Sequence, residues 1–174
     1  MRLHALIVLS IGSALAYGAT ALAQQPAPSA SPPPAAAAAP PDYGPPITND
    51  QAKAAAAAAF AEAKKNNWRM AFAIVGPAGE LVYFERMDGT QMASGEIAQG
   101  KARTAAMFRR PSKVFADQYA AGNTAFTTFP EKPVASEGGL PITLNGKIIG
   151  AIGASGGTGQ QDGTAAAAGV GAVK

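Results

Sequence analysis

Four cations, a threonine and a glycine crowd one short stretch of this chain: Gly100, Lys101, Arg103, Thr104, Arg109 and Arg110. On a helix at about 100° per residue, Ala93, Ile97, Gly100, Thr104, Met107 and Phe108 share one face. Glu96 lies on one edge of that face and Lys101 on the other. Gly100 leaves a notch, and Thr104 sits one turn beyond it. A flat apolar ligand approaching the backbone there would meet the threonine hydroxyl. Lys101, Arg103, Arg109 and Arg110 lie close by and could pair with carboxylates, since guanidinium forks match carboxylate geometry. The same residues also fit a plainer arrangement, in which Thr104 bonds back to the Gly100 carbonyl and the notch admits a strand of a sheet. The cations would then be a solvated basic face.

A second cluster, Gly153–Gly159 (GASGGTG), precedes a predicted helix start. Backbone N–H groups at Gly153, Gly156 and Gly157 could hold a small anion there. A tight turn explains the same glycines, and no Lys-Ser/Thr follows as a P-loop requires. The acids nearest these motifs are Asp88, Glu96 and Glu137, with ion pairing to Arg86 or Lys101 as their default role. The chain has no cysteine and a single histidine, His4. Cys/His and Ser-His catalysis and the usual zinc sites are thereby excluded from the rest of the sequence. No assembled catalytic set is expected.

The elements that must position these residues follow from local signals. Thr48-Asn-Asp-Gln51 reads as a capping box opening an alanine-rich helix to about Asn66. Met70–Val75 and Glu80–Met87 read as two strands joined by Gly76–Gly79. Asp88-Gly89 ends the second strand, and Ser94 is the expected N-cap of a helix to about Phe108. A shorter helix starts at Pro111-Ser112 and runs to about Ala121, and Gly122–Ser136 shows no period. Asn145-Gly146 between LPITL and KIIGAIGAS marks a two-residue type I′ hairpin. A last helix is expected from Thr158 to Val173. The order is α-β-β-α-α-β-β-α, an α+β domain with an antiparallel sheet covered by helices.

The N-terminus is expected to belong to none of this. Met1-Arg2, the apolar run Leu3–Leu15 and Ala21-Leu22-Ala23 form the pattern of a secretory signal peptide over residues 1–23. Residues 24–46 are a Pro/Ala-rich tract, read as a disordered, extended linker. The domain then spans 47–174. A periplasmic or secreted destination is expected, with no stable membrane span after cleavage; an uncleaved segment kept as an anchor is the alternative. The mild basic balance and the lack of interleaved aromatics argue against a nucleic-acid partner.

Two longer blocks carry a resemblance. One is Arg86-Met-Asp-Gly89, followed by a serine-started helix with Lys101-Ala-Arg-Thr-Ala-Ala106 and then Arg109-Arg-Pro-Ser112. The other is EGGLPITLNGKIIGAIGASGGTGQQD, Glu137–Asp162. Together they resemble the GlcG/HbpS family of haem-binding proteins, which includes the C-terminal domain of PduO-type cobalamin adenosyltransferases. The resemblance spans roughly Ile47 to Gly171 and implies a profilin-like, PAS-resembling fold. It implies haem lying against Gly100, Lys101, Arg103, Thr104, Met107 and Phe108, with Thr104 at the iron. Gly153, Gly156 and Gly157 would wall the cavity. Some relatives use a histidine that this chain lacks, so the implied binding is weak and driven by apolar burial. Met87, Met92, Met107 and Tyr83 are the substitutes on offer as iron ligands. The resemblance also implies a homo-oligomer, a dimer building to a tetramer or octamer. The alanine side of the Thr104 helix (Ala98, Ala102, Ala105, Ala106) is the expected subunit contact. Three functions are compatible with these residues: storage, buffering or sensing of haem; an accessory factor or enzyme for small organic acids such as glycolate; and a structural assembly module.

Overall fold

Alanine and capping chemistry set the first element. In the computed structural model, described for residues 39–174, helix α1 runs Asn49–Lys65. Gln51 N donates to Thr48 Oγ1 at 3.3 Å and Thr48 N donates to Gln51 Oε1 at 3.0 Å. This reciprocal box satisfies two amide groups that a helix start leaves without partners. Ala52, Ala55, Ala56, Ala59 and Ala63 form its buried stripe.

Strands β1 (Ala71–Val75) and β2 (Leu81–Arg86) form the first hairpin. Strands β3 (Gly139–Leu144) and β4 (Lys147–Ser155) form the second. Asn145 and Gly146 have φ of 51° and 73°, the left-handed pair that a type I′ turn requires. The sheet is antiparallel throughout, in the order β2-β1-β4-β3. Between the hairpins lie α2 (Ser94–Met107), α3 (Lys113–Ala120) and a 3₁₀ turn at Ala125–Thr128. Helix α4 (Gly159–Gly171) closes the chain behind its own capping box at Thr158. The element order is the one expected.

The pleat of β1 sorts the two layers. Phe72 and Ile74 point into the larger core with Ile142, Ile152 and the alanines of α1 and α4. Ala71, Ala73 and Val75 point the other way, against Ala98, Ala102, Ala105 and Ala106 of α2, with Ala151. The alanine side of α2, expected at another subunit, therefore packs on this chain's own sheet. Small side chains on both partners allow the close approach, and Gly153 makes it possible. A Cβ at Gly153 would press on the Ala98 carbonyl and stand 2.6 Å from Ala102 N.

Two boundaries differ from expectation. Ser94 is the first residue inside α2 and not its cap. Ala93 before it already has helical backbone (φ −64°, ψ −23°) and no side chain caps the turn. The Pro/Ala tract also does not stop short of the folded body. Ile148 N donates to Asp42 O and Gly44 N donates to Ile148 O, both at 2.8 Å, and Ile47 N donates to Ile149 O at 2.7 Å. Residues 42–47 thus take over pairing with β4 where β1 ends opposite Ala151. The expected signal peptide and most of the tract lie outside the described residues. Among those described, no helix is long and apolar enough to cross a membrane.

Candidate functional site

At the centre of α2, the notch is filled. Thr104 is 3% exposed. Its hydroxyl donates to Gly100 O at 2.8 Å and accepts from Val134 N at 2.8 Å. A Cβ at Gly100 would stand 2.6 Å from Val134 Cγ2. The plainer arrangement of Thr104 is the one observed, with a residue of the aperiodic loop, and not a strand, in the gap. Thr104 therefore faces no open surface as an iron contact, a correction to the implied role.

Lys101 is corrected too. It is 1% exposed. Its Nζ donates to Asp162 Oδ2 at 2.7 Å and to Ala154 O at 3.2 Å. The pair ties α2 to the end of β4 and the first turn of α4, where no carboxylate of a ligand could reach it. Asp162 Oδ1 in turn accepts from Gly157 N at 2.9 Å. The anion that the glycine-rich turn holds is therefore the chain's own carboxylate. Glu137 also lies against Gly159 and Gly163. Negative groups near a helix N-terminus are favourable, and here the protein supplies them. Gly153 serves helix–sheet packing, and Gly156 (φ 149°) lies against the backbone of Arg69 and Met70. None of the three glycines lines the clefts at Phe108, Trp68, Met107 or Pro141.

Arg103 and Arg109 are likewise drawn to their own chain. Arg103 Nε donates to Gly79 O at 3.2 Å, fastening the β1–β2 turn to α2. Arg109, at φ 54°, lies 3.7 Å from Asp42 Oδ1, with its guanidinium 5.6 Å from the Tyr43 ring centroid. Tyr43 Oη reaches Ala106 O and Met107 O, each at 3.0 Å, so the last carbonyls of α2 are bonded by a residue from the tract. Met107 stays exposed beside Tyr43, Pro77 and Ala78.

Past the end of α2 the surface opens. Phe108 meets Phe115 edge-on at 4.9 Å and stacks near Phe129 at 6.3 Å, and Phe115 meets Phe126 edge-on at 5.4 Å. These rings and Arg110 line a cleft of about 330 Å³, together with Gln118, Asn123 and Ala125. Arg110 is exposed and, among the described residues, donates only to the Phe108 carbonyl, at 3.0 Å, through Nε. The cleft is thus apolar with an available guanidinium at its rim. Beside it, Lys113 is held above the ordinary lysine range by its hydrogen bond to Asp117, on the solvent side of α3.

The family model described as "Haem degrading protein HbpS-like" matches residues 47–171. The chain belongs to this HbpS-like family. It is 43% identical to Protein GlcG of Escherichia coli strain K12 over 94 residues, 54% of this chain and 69% of GlcG. A Streptomyces reticuli HbpS double mutant superposes with a TM-score of 0.69 at 29% identity, over 83% of this chain and 99% of that one. A PduOC:heme complex superposes equally well, 0.69, over 74% of this chain and 96% of that one. At 24% identity, that likeness speaks to fold.

Of the residues expected at the site, Phe108 and Arg110 line the open cleft. Thr104 and Lys101 sit beneath the surface, and the rest pack or bond locally. Sequence reasoning missed Phe115, Phe126, Phe129 and Tyr43. A signal was present for three of them, because four of the seven phenylalanines fall between residues 108 and 129.

Proposed function

We propose that this protein binds haem or a related tetrapyrrole, and that it is exported and stores, buffers or senses that ligand. One observation carries the reading: the aromatic cleft at the end of α2, with the Arg110 guanidinium at its mouth. A planar apolar ring with acidic side groups asks for that combination, aromatic faces for the ring and a fork for a carboxylate. The family description and the bound ligand of the PduOC relative support it.

The residues fit the ring better than the metal. Among the described residues there is neither histidine nor cysteine, and no group of three His, Cys, Asp or Glu side chains is placed to hold an ion. Phe108, Phe126 and Phe129 would cover the ring, Arg110 would hold a carboxylate, and the Val134 loop would lie over Thr104 one turn away. A bound haem would supply its iron's redox and ligand chemistry. This chain's part is burial and orientation, so affinity is modest. Export rests on the N-terminal sequence pattern. For the homo-oligomer, Leu81, Phe84 and Met92 (81% exposed) along β2 and the start of α2 offer an apolar surface.

Titration with haemin tests the reading. A saturable Soret shift at micromolar protein is expected, weakened roughly ten-fold by Phe129→Ala or by Arg110→Gln. No saturable shift sinks it. Loss of the shift in Thr104→Ala, with both cleft variants unchanged, would move the site to the Gly100 notch.

A further inference from the structure

The RMDG turn and the end of α1 enclose a second cleft, of about 360 Å³, lined by Phe60, Lys64, Asn67, Trp68, Arg69, Met87 and Asp88. Its volume falls within the roughly 300–1,000 Å³ usual for small-molecule sites. The floor is apolar: Phe60, Trp68 and Met87 are partly buried against the larger core. The rim is cationic. Lys64 and Arg69 are both exposed, and neither is ion-paired among the described residues. Two cations stand against one carboxylate, Asp88, so the lining carries a net single positive charge.

The walls of this cleft are held in place. Met87 N donates to Met70 O at 3.0 Å, and the Thr90 hydroxyl donates to Met87 O at 2.8 Å and to Met70 O at 3.1 Å. The turn is thereby fastened to the start of β1. Gly89, at φ 73°, makes room for the guanidinium, since a Cβ there would stand 2.8 Å from Arg69 Nη1. On the other wall, Asn67 at φ 58° turns the chain out of α1. Trp68 N then donates to Ala63 O at 2.9 Å and Asn67 N to Lys64 O at 3.1 Å. The Ala63 and Lys64 carbonyls at the helix end, which would repel an anion, are thereby bonded internally.

From this geometry we infer a ligand site, separate from the aromatic cleft after α2, for a small aromatic monocarboxylate. The ring lies on Trp68, Phe60 and Met87, and the carboxylate meets Lys64 and Arg69. Charge complementarity selects the class: a neutral ring leaves both cations without partners, and a dianion brings excess charge beside Asp88.

Trp68 is the chain's single tryptophan, so its fluorescence reports this cleft alone. The full chain is titrated with phenylacetate, phenylacetamide and acetate, with saturation-transfer NMR of the ring protons as a second readout. Phenylacetate is expected to give a saturable response in both. Phenylacetamide should bind at least about ten-fold more weakly, since a charge-assisted contact is lost. Acetate should give no response. The Lys64→Gln/Arg69→Gln double variant changes exposed side chains, and its circular dichroism melt checks the fold. It should weaken phenylacetate to the level of the amide. Equal binding of acid and amide overturns the proposal. So does a response that survives the double variant, or one flat in both measurements to about 10 mM. The Soret band plays no part in the readout, so failure here leaves the tetrapyrrole reading standing.

Discussion

The middle of α2 and the surface beyond its last turn are neighbours in sequence and opposites in use. From Ala98 to Ala106 the helix is closed on both sides: alanines press on the sheet, Lys101 is sealed against Asp162, and Val134 covers Gly100. From Phe108 onward the chain leaves rings and a guanidinium at an open cleft. The stretch richest in suggestive chemistry is spent on packing. The open surface is shared between α3 and the segment after it, most of which has no periodicity. Residues of the right type and spacing mark a place where the backbone is demanding, and a demanding backbone can serve assembly of the fold as readily as recognition.

The closed half can be broken hardest at Gly153. Gly153→Val would drive a side chain into the Ala98 carbonyl and Ala102 N. A cost above about 3 kcal/mol is expected, with little folded protein by circular dichroism. A native melt in this variant would mean that α2 is looser on the sheet than described. Next comes Lys101→Met, which strands the Asp162 carboxylate in the interior. Urea unfolding should show a loss of about 3–5 kcal/mol, largely recovered in Lys101→Met/Asp162→Leu, because an apolar replacement of both partners removes the unpaired charge. No recovery in the double variant would make the pair a net stabiliser in its own right.

Thr104→Val sharpens the comparison at smaller scale. It removes the donor to Gly100 O and the acceptor for Val134 N, and about 1–2 kcal/mol is expected from urea unfolding. Amide exchange at Val134 should rise, while haemin binding changes less than in Phe129→Ala. Phe129 is 43% exposed, so its removal should cost under about 1 kcal/mol in stability and still weaken haemin. The smallest effect belongs to Asp117→Ala. Losing the hydrogen bond that raises Lys113 should return that lysine toward its ordinary range in an NMR titration. A raised lysine stabilises at pH below its ordinary value, and this contribution fades as pH climbs through the shifted one. With Lys113 at the surface, no resolvable change in melting temperature is expected.

What was legible in the sequence was local. The Asn145-Gly146 turn and the Thr48/Gln51 box act over a few residues, and both stand as read. The helical period of Ala93–Phe108 was equally plain, but not which side meets the sheet. Both stripes are small or apolar, and the choice is made by Ala71, Ala73, Ala151 and Gly153 far along the chain. The partner of Lys101 lies 61 residues away, beyond any window of periodicity. Val134 and Phe129 sit in a segment whose sequence has no pattern to read. Ser94 misled for a local reason: the turn before it had already adopted helical angles, so the cap preference had nothing to act on. Its hydroxyl is left buried without a partner among the described residues.

The Tyr43 hydroxyl bears on how this protein should be handled. A chain trimmed to begin at Ile47, where composition changes, would lose Tyr43 and the Asp42–Arg109 contact in one cut. The last carbonyls of α2 would then open to water, and the turn that delivers Phe108 and Arg110 to their cleft would fray. Haemin titration of such a fragment is expected to give a weaker response than the longer chain, through a missing latch at the far end of the helix. The Tyr43 phenol therefore belongs inside the folding unit.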